Sequence, residues 1–269
     1  MPAPWTVEQK EKFRADLTRL YVARNLTITQ VGAELGLAES TIHHRLLKLG
    51  IPVSRHLKAG YNNTSRKVVI PNSYTSEVAE LFGILFGDGH IAPTQVTVTL
   101  GIKEPEYVNH VAVLIENIFH TKPAIFTRKI IPRDSKYRTV YFGSVAAVRW
   151  LLKEGLVHNK VRVQVDVPKW IFRKKVFMES FLRGFFDTDG SVYRLRFGVQ
   201  ISLTNRSMPL LYSLHRLLRR LEYNPSRVSG YHIYITRRDD VLRFFREIKP
   251  SNQKHTWRFQ KIMENKLRR

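Results

Sequence analysis

The chain predicts an α+β fold with two consecutive repeats and a small all-α domain ahead of them. Each repeat runs helix, two strands, helix, two strands, helix, and the two repeats pack through a matched pair of central helices. Three observations carry this. An apolar stretch closing on Asp-Gly occurs twice, as Glu80-Leu81-Phe82-Gly83-Ile84-Leu85-Phe86-Gly87-Asp88-Gly89 and as Phe181-Leu182-Arg183-Gly184-Phe185-Phe186-Asp187-Thr188-Asp189-Gly190. Segments that alternate apolar and polar residues follow each copy. Landmarks also recur at nearly constant offsets: 101 residues from Asp88 to Asp189, 93 from Val140-Tyr141-Phe142 to Ile233-Tyr234-Ile235, and 94 from Lys160 to Lys254. Small drifts of this kind are what loop insertions leave in a tandem duplication. The expected boundaries are 1–53 for the helical domain, 54–75 for a linker, 76–172 for the first repeat and 173–269 for the second.

In the first domain, Trp5, Phe13, Leu17, Leu20 and Tyr21 recur at helical spacing and predict one helix over residues 5–24. Residues 27–50 resemble a helix-turn-helix. Ala33 is the small residue expected at the helix crossing, Gly36 makes the turn, and Ile42, Leu46 and Leu49 face the core. Glu39, Ser40, His43, His44 and Lys48 project from the second helix, where they are placed to touch bases or phosphates. Ala38 stands where a Ser or Thr cap is usual, which weakens the helix start. The competing reading is a small helical protein-binding module. Overall charge favours DNA: 45 Lys and Arg against 22 Asp and Glu give +23, so the expected partner is a polyanion, nucleic acid ahead of an anionic membrane. His43 and His44 are adjacent on a helix and diverge too far to share an ion. No stretch is apolar enough to span a bilayer and no signal-peptide core is visible. The expectation is a soluble intracellular protein of the cytoplasm, nucleoid or an organelle matrix. Absence of Cys excludes disulfides and thiolate zinc sites.

Residues 51–76 carry Pro52, Gly60, Asn62, Asn63, Pro71 and Asn72 among Arg55, Lys58, Arg66 and Lys67, and predict a basic linker. Beyond it, Val96, Val98 and Leu100 oppose Gln95, Thr97 and Thr99, as expected of a half-buried strand. In the second repeat, residues 194–204 place Leu195, Phe197, Val199, Ile201 and Leu203 on one face. Arg194, Arg196, Gln200, Ser202 and Thr204 take the other. Arginine and glutamine pair with guanine and adenine edges, so two such faces side by side suit a DNA saddle, although a solvated sheet face accounts for any one strand alone. Helices are expected at 107–119 and 210–221, and a further strand at 161–167, where valines alternate with Arg162, Gln164 and Asp166. Arg216, Arg219 and Arg220 fit a solvated charged face.

Both Asp-Gly stretches predict buried helices that end at Gly89 and Gly190 in a left-handed turn. Gly83 with Gly87, and Gly184 with Thr188, lie one turn apart and let a partner backbone come close. Asp88 and Asp189 then meet at one end of the pair, at the negative end of each helix dipole, where they need a cation. Oxygen ligands of this kind suit magnesium. One such copy alone would be read as a core helix with a turn. Two copies favour a site.

The two stretches resemble the signature helices of single-chain LAGLIDADG homing endonucleases, the likeness covering about residues 75–269. Phe86 stands where the name-giving pattern has an acid, while the metal-binding position is Asp in both copies. The resemblance implies magnesium-dependent double-strand cleavage of a long asymmetric DNA target, one aspartate serving each strand, by a monomer that needs no protein partner. Manganese or calcium would substitute in the site. It also implies metal ligation by the carbonyls of Gly87 and Thr188. Lys160 and Lys254 would act near the scissile phosphates, or serve only as phosphate contacts or solvated charges, and Asn205 or Gln200 would hold water. Ile102 stands at the matching place in the first half, a departure implying unequal sites. The rival readings are a non-cleaving DNA-binding regulator and an intron RNA maturase on the same fold.

Overall fold

The computed structural model describes residues 6–24, 26–51, 53, 68–130, 135–196 and 198–267, which divide into two compact units, residues 1–61 and 62–269. Trp5, Phe197 and the linker positions 54–67 lie outside the described residues.

In the first unit, α1 (Val7–Leu17) starts on a capping box in which Thr6 and Gln9 exchange hydrogen bonds, and it continues as a π-helical turn over Thr18–Ala23. A second capping box, Thr27 with Gln30, starts α2 (Ile28–Leu35). Gly36 ends it at φ +64, and α3 (Glu39–Lys48) follows with no side-chain cap at Ala38. Leu17, Leu20, Tyr21, Val31, Ile42 and Leu46 form the core. The small residue at the crossing is Gly32, not Ala33. Gly32 is buried and a Cβ there would come within 2.7 Å of the Leu37 carbonyl oxygen, whereas Ala33 is exposed.

The second unit begins with residues expected to be linker. Val68, Ile70 and Tyr74 instead pack on its core, Val69 N donates to the Phe119 carbonyl, and the Tyr74 ring stacks on Trp170 at 4.3 Å. Thr75 caps α4 (Ser76–Gly87). Then come β1 (Gly89–Ala92), β2 (Gln95–Gly101), α5 (Pro105–Phe119), β3 (Ala124–Ile130), β4 (Ser135–Gly143) and α6 (Val145–Lys153). A short helix α7 (Lys160–Val163) and a 3-10 turn lead to α8 (Lys175–Asp189). The remainder is β5 (Gly190–Leu195), β6 (Gly198–Thr204), α9 (Met208–Arg220), β7 (His232–Ile235), α10 (Arg238–Glu247) and α11 (Gln253–Leu267). The strands form two antiparallel sheets, in orders β1-β2-β4-β3 and β5-β6-β7.

Corresponding strands pair in matching register. Val98 joins Gly89 to Val140 in one sheet, and Leu203 joins Gly190 to Ile233 in the other. The expected fourth strand of the second sheet is absent among the described residues. Pro225 has no N–H to offer a ladder, and Ser226 Oγ instead accepts from Tyr234 N at 3.0 Å.

α4 and α8 cross in backbone contact at the centre. A Cβ on Gly83 would lie 2.1 Å from Phe181 O, and one on Gly184 2.1 Å from Glu80 O. Around this crossing Phe82, Phe86, Phe181 and Phe185 are fully buried, with Phe86 edge-on to Phe181 at 5.5 Å. Gly89 and Gly190 do not adopt left-handed backbone; Gly190 is extended at φ −95. Glycine is required there for space, since a Cβ would meet Leu85 O at 2.6 Å and Phe186 O at 2.4 Å. Among the described residues no helix is long and apolar enough to cross a membrane.

Candidate functional site

The crossing of α4 and α8 brings their C-terminal ends together. Gly87 packs on Thr188, where a Cβ would overlap Oγ1, and the same Cβ would be 3.4 Å from the Asp189 carboxyl carbon. Asp88 caps α4 and keeps an exposed side chain, while Asp189 ends α8 half-buried. Burial pushes the Asp189 carboxyl up to about 6, with the Asp88 charge adding to it and the Asn205 amide working against it. Although Asp88 is open to solvent on one side, the protein crowding its other side raises its carboxyl too, with Lys254 and then Lys160 opposing and Glu104 reinforcing. Each carboxyl therefore feels both confinement and a like charge.

Both predicted lysines reach this end. Lys160, at the start of α7, donates its ammonium to the carbonyls of Leu85 (2.9 Å), Phe86 (3.0 Å) and Gly87, the last turn of α4. It thus supplies positive charge at the negative helix end. Burial lowers Lys160 to about 8, and Asp189 and Asp88 pull it back up. Lys254, near the start of α11, lies 3.3 and 3.4 Å from the Glu104 carboxylate oxygens. Asn205 Nδ2 donates to Asp189 Oδ2 at 3.0 Å. Thr188 Oγ1 donates back to Gly184 O and Phe185 O, so its hydroxyl serves the helix.

Among the described residues no three His, Asp or Glu side chains converge as a closed metal cage. A divalent ion bound here would draw on two carboxylates, backbone carbonyls and solvent, a donor set that fits magnesium, which keeps much of its water. Lys160 already engages the Gly87 carbonyl, leaving that oxygen one lone pair.

The sheet faces differ in part from the sequence expectation. On β2, Val96, Val98 and Leu100 are buried, and Gln95, Thr97 and Thr99 lie on the opposite, more open face. Residues 194–204 are not one strand. They are a hairpin in which Leu195 stands opposite Gly198. The turn inverts the parity of what precedes it. Tyr193 shares the face of Gln200, Ser202 and Thr204, its hydroxyl bonded to Gln200 Oε1, whereas Arg194 pairs with Val199 and Arg196 sits in the turn. His232 and Tyr234 of β7 join the same face, His232 Nδ1 lying 2.9 Å from Thr204 Oγ1.

Residues 161–167 likewise form no strand. Asn159 Oδ1 caps a helical turn by accepting from Arg162 N at 3.0 Å, and Val161 and Val163 are exposed. Gln164 takes left-handed backbone at φ 53; its amide donates to Val161 O at 2.7 Å and accepts from Met208 N at 3.0 Å, which ties α7 to α9. In the first unit Ser40, His43, His44 and Lys48 are all exposed on α3.

Sequence reasoning missed a buried polar cluster beside the site. Glu80, 5% exposed, meets His110 Nε2 at 2.7 Å, Arg183 Nη1 at 3.0 Å and Ser251 Oγ at 3.0 Å. Asp187, fully buried, accepts from Ser251 N at 2.9 Å and Asn252 N at 3.1 Å. The available signal was an acid inside an apolar run, at Glu80 and again at Asp187, where Phe86 stands in the first copy.

Comparison with known proteins places this geometry in context. Residues 177–249 match the model of the LAGLIDADG-like domain. The replication factor C small subunit of Methanocaldococcus jannaschii is 26% identical over 276 residues, covering 96% of this chain and 14% of that protein. A glutamine–fructose-6-phosphate aminotransferase of the same organism is 24% identical over 200 residues, 72% of this chain and 17% of its own length. The chain therefore spans less than a fifth of either curated relative. Among solved structures, I-DmoI in complex with DNA and Mn is 16% identical with a TM-score of 0.45, covering 64% of this chain and 96% of that one, and it has also been solved with DNA and Ca. Full-length DUF199/WhiA from Thermatoga maritima is 16% identical with a TM-score of 0.46, covering 73% of this chain and 63% of that one.

Proposed function

We propose that the chain is a site-specific endonuclease that makes magnesium-dependent double-strand breaks in a long, asymmetric DNA target, acting as a monomer. The observation that carries this reading is the meeting of Asp88 and Asp189 at one end of a backbone-close helix pair, with Lys160 and Lys254 beside them. The matched registers around Gly89 and Gly190 support a duplicated origin, in which each half presents a strand face to the duplex. Gln95, Thr97 and Thr99 on one sheet, and Tyr193, Gln200, Ser202 and Thr204 on the other, would line that saddle, with Arg194, Arg196 and Arg162 at its margins. The first unit would act as a helix-turn-helix whose exposed α3 residues lengthen the footprint.

Asp88 and Asp189 would hold the metal, aided by the carbonyls of Gly87 and Thr188, with manganese or calcium able to stand in for magnesium. The ion would supply charge relief and an acidified water. Asn205 Nδ2 donates to one oxygen of Asp189 and so fixes its orientation. The lysines bring positive charge to the phosphate.

A supercoiled plasmid library of randomised duplex inserts, incubated with the chain and magnesium, provides the test. Wild type should linearise a recoverable subset. Asp189→Asn should leave those same plasmids nicked, one strand cut, with gel-shift binding retained. Supercoils left intact by a wild type that binds the recovered site would favour the non-cleaving regulator instead.

A further inference from the structure

The two lysines are held in different ways. Lys160 rests on backbone carbonyls of α4, but Lys254 is held by a carboxylate with a supporting chain of its own. Glu104, at the start of α5, receives Lys254 Nζ and also Asn252 Nδ2 at 2.7 Å. Gly101 leaves the room for it, since a Cβ there would lie 2.8 Å from Glu104 Oε1. Asn252 is 1% exposed and is fixed in turn by Asp187. Its amide N–H donates to Asp187 Oδ1, its Nδ2 donates to Asp187 O at 3.2 Å, and its Oδ1 accepts from Lys254 N at 3.3 Å. The chain of contacts therefore runs from the buried last turn of α8, through the loop before α11, to one ammonium group.

Rotamer freedom explains why such a chain matters. A free lysine side chain has several rotatable bonds, and a partner must overcome their freedom to hold the ammonium in one place. On the other side of the site the bracing has a different chemistry, because Asp189 is held by the neutral amide of Asn205. Lys254 acts on Asp88 more strongly than Lys160 does, while Lys160 is the lysine that acts on Asp189.

We propose that Glu104, braced by Asn252 and Asp187, is the positioning residue that holds Lys254 for chemistry at Asp88, so that the two DNA strands meet lysines held by different means. This rests on the endonuclease reading and adds to it a residue that acts on one strand only. Glu104→Gln is the informative change. It preserves size and the acceptor for Asn252 but removes the charge that holds Lys254.

Two measurements on the full chain test it. In the free protein, ¹⁵N relaxation of the Lys254 ammonium should show restricted motion in wild type and release in Glu104→Gln; unchanged motion overturns the proposal whether or not the chain cuts DNA. On a target recovered with wild type and labelled separately on each strand, Glu104→Gln should slow the strand that Asp88→Asn blocks by about tenfold or more. The other strand should keep its rate, and gel-shift binding should be unchanged. Equal slowing of both strands, or slowing of the strand that Asp189→Asn blocks, would refute it. A wild type that cuts nothing would count against the endonuclease reading alone, with the relaxation experiment still deciding the role of Glu104.

Discussion

Replacing Gly83 by Ala probes the contact on which the second unit is built. The added Cβ would lie 2.1 Å from Phe181 O and 2.7 Å from Phe185 N, against 3.4 Å for ordinary contact, and both obstacles are backbone of the partner helix. No rotamer change relieves that, so α4 and α8 must separate. Separation opens gaps between Phe82, Phe86, Phe181 and Phe185, all of them fully buried. Overpacking a filled core costs about 1–3 kcal/mol, and we expect the upper end because the strain falls on two helices at once. Trp150 and Trp170 both pack edge-on against Phe82, so their fluorescence reports this core during urea unfolding. With a slope of about 2–3 kcal/mol per molar, the midpoint should fall by about 1 M. Gly198→Ala is the control: nothing lies within 4 Å of its Cβ, and the change should stay within about 0.5 kcal/mol. Gly184→Ala should cost as much as Gly83→Ala, and the double variant less than the two added, because one separation accommodates both methyl groups. A Gly83→Ala midpoint equal to that of Gly198→Ala, or strict additivity in the double variant, would show that the helices do not meet backbone to backbone.

Two further expectations concern the ends of the chain. His255 is fully buried against Phe186, and burial, the largest cause, with the nearby Lys254 charge lowers it to about 3. Between that value and 6.5 the folded state binds fewer protons than the unfolded, so stability present above 6.5 is lost as pH falls toward 3. At pH 5 the deficit is about 2 kcal/mol, and at the slope above the gap in urea midpoint between wild type and His255→Gln should therefore differ between pH 5 and pH 7 by about 0.7–1 M; a gap independent of pH would exclude a buried neutral imidazole. In the first unit, Ala38→Ser supplies the missing cap of α3 and should slow amide exchange over residues 39–42 in proportion to about 1 kcal/mol, an outcome lost if the serine hydroxyl faces solvent.

Much of the architecture was legible because it is written in local spacing. Gly83 and Gly87, then Gly184 and Thr188, stand one helical turn apart in two matching runs, and that alone places two helices in contact with two aspartates at one end. β2 was equally plain, since Gln95 to Leu100 alternate without interruption. Where alternation misled, a turn lay hidden inside it. In the sequence Leu195, Phe197 and Val199 keep period two, so the pattern put Arg194 on the face of Gln200, whereas the antiparallel pairing of Leu195 with Gly198 gives that place to Tyr193. Valines at 161, 163, 165 and 167 imitate a strand, but Asn159 caps the segment into a helical turn, and only Val165 and Val167 are buried.

The polar cluster beside the site was illegible for a different reason. Glu80 and Asp187 are acids in apolar runs, and their partners lie far along the chain: His110, Arg183 and Ser251 for one, the amides of Ser251 and Asn252 for the other. Burial raises the Glu80 carboxyl, yet these partners outweigh it and leave it below its ordinary value. For Asp187, two backbone amides do not offset burial, and it is pushed up to about 7. The contrast follows from the donors, because a neighbouring charge compensates a buried carboxylate more fully than neutral N–H groups do. The first copy solves the same packing problem with Phe86, which needs no partner. Departure from repeat identity at that one position is therefore where the sequence does hint at the loop that carries Lys254: the acid kept in the second copy is the group that fastens Ser251 and Asn252.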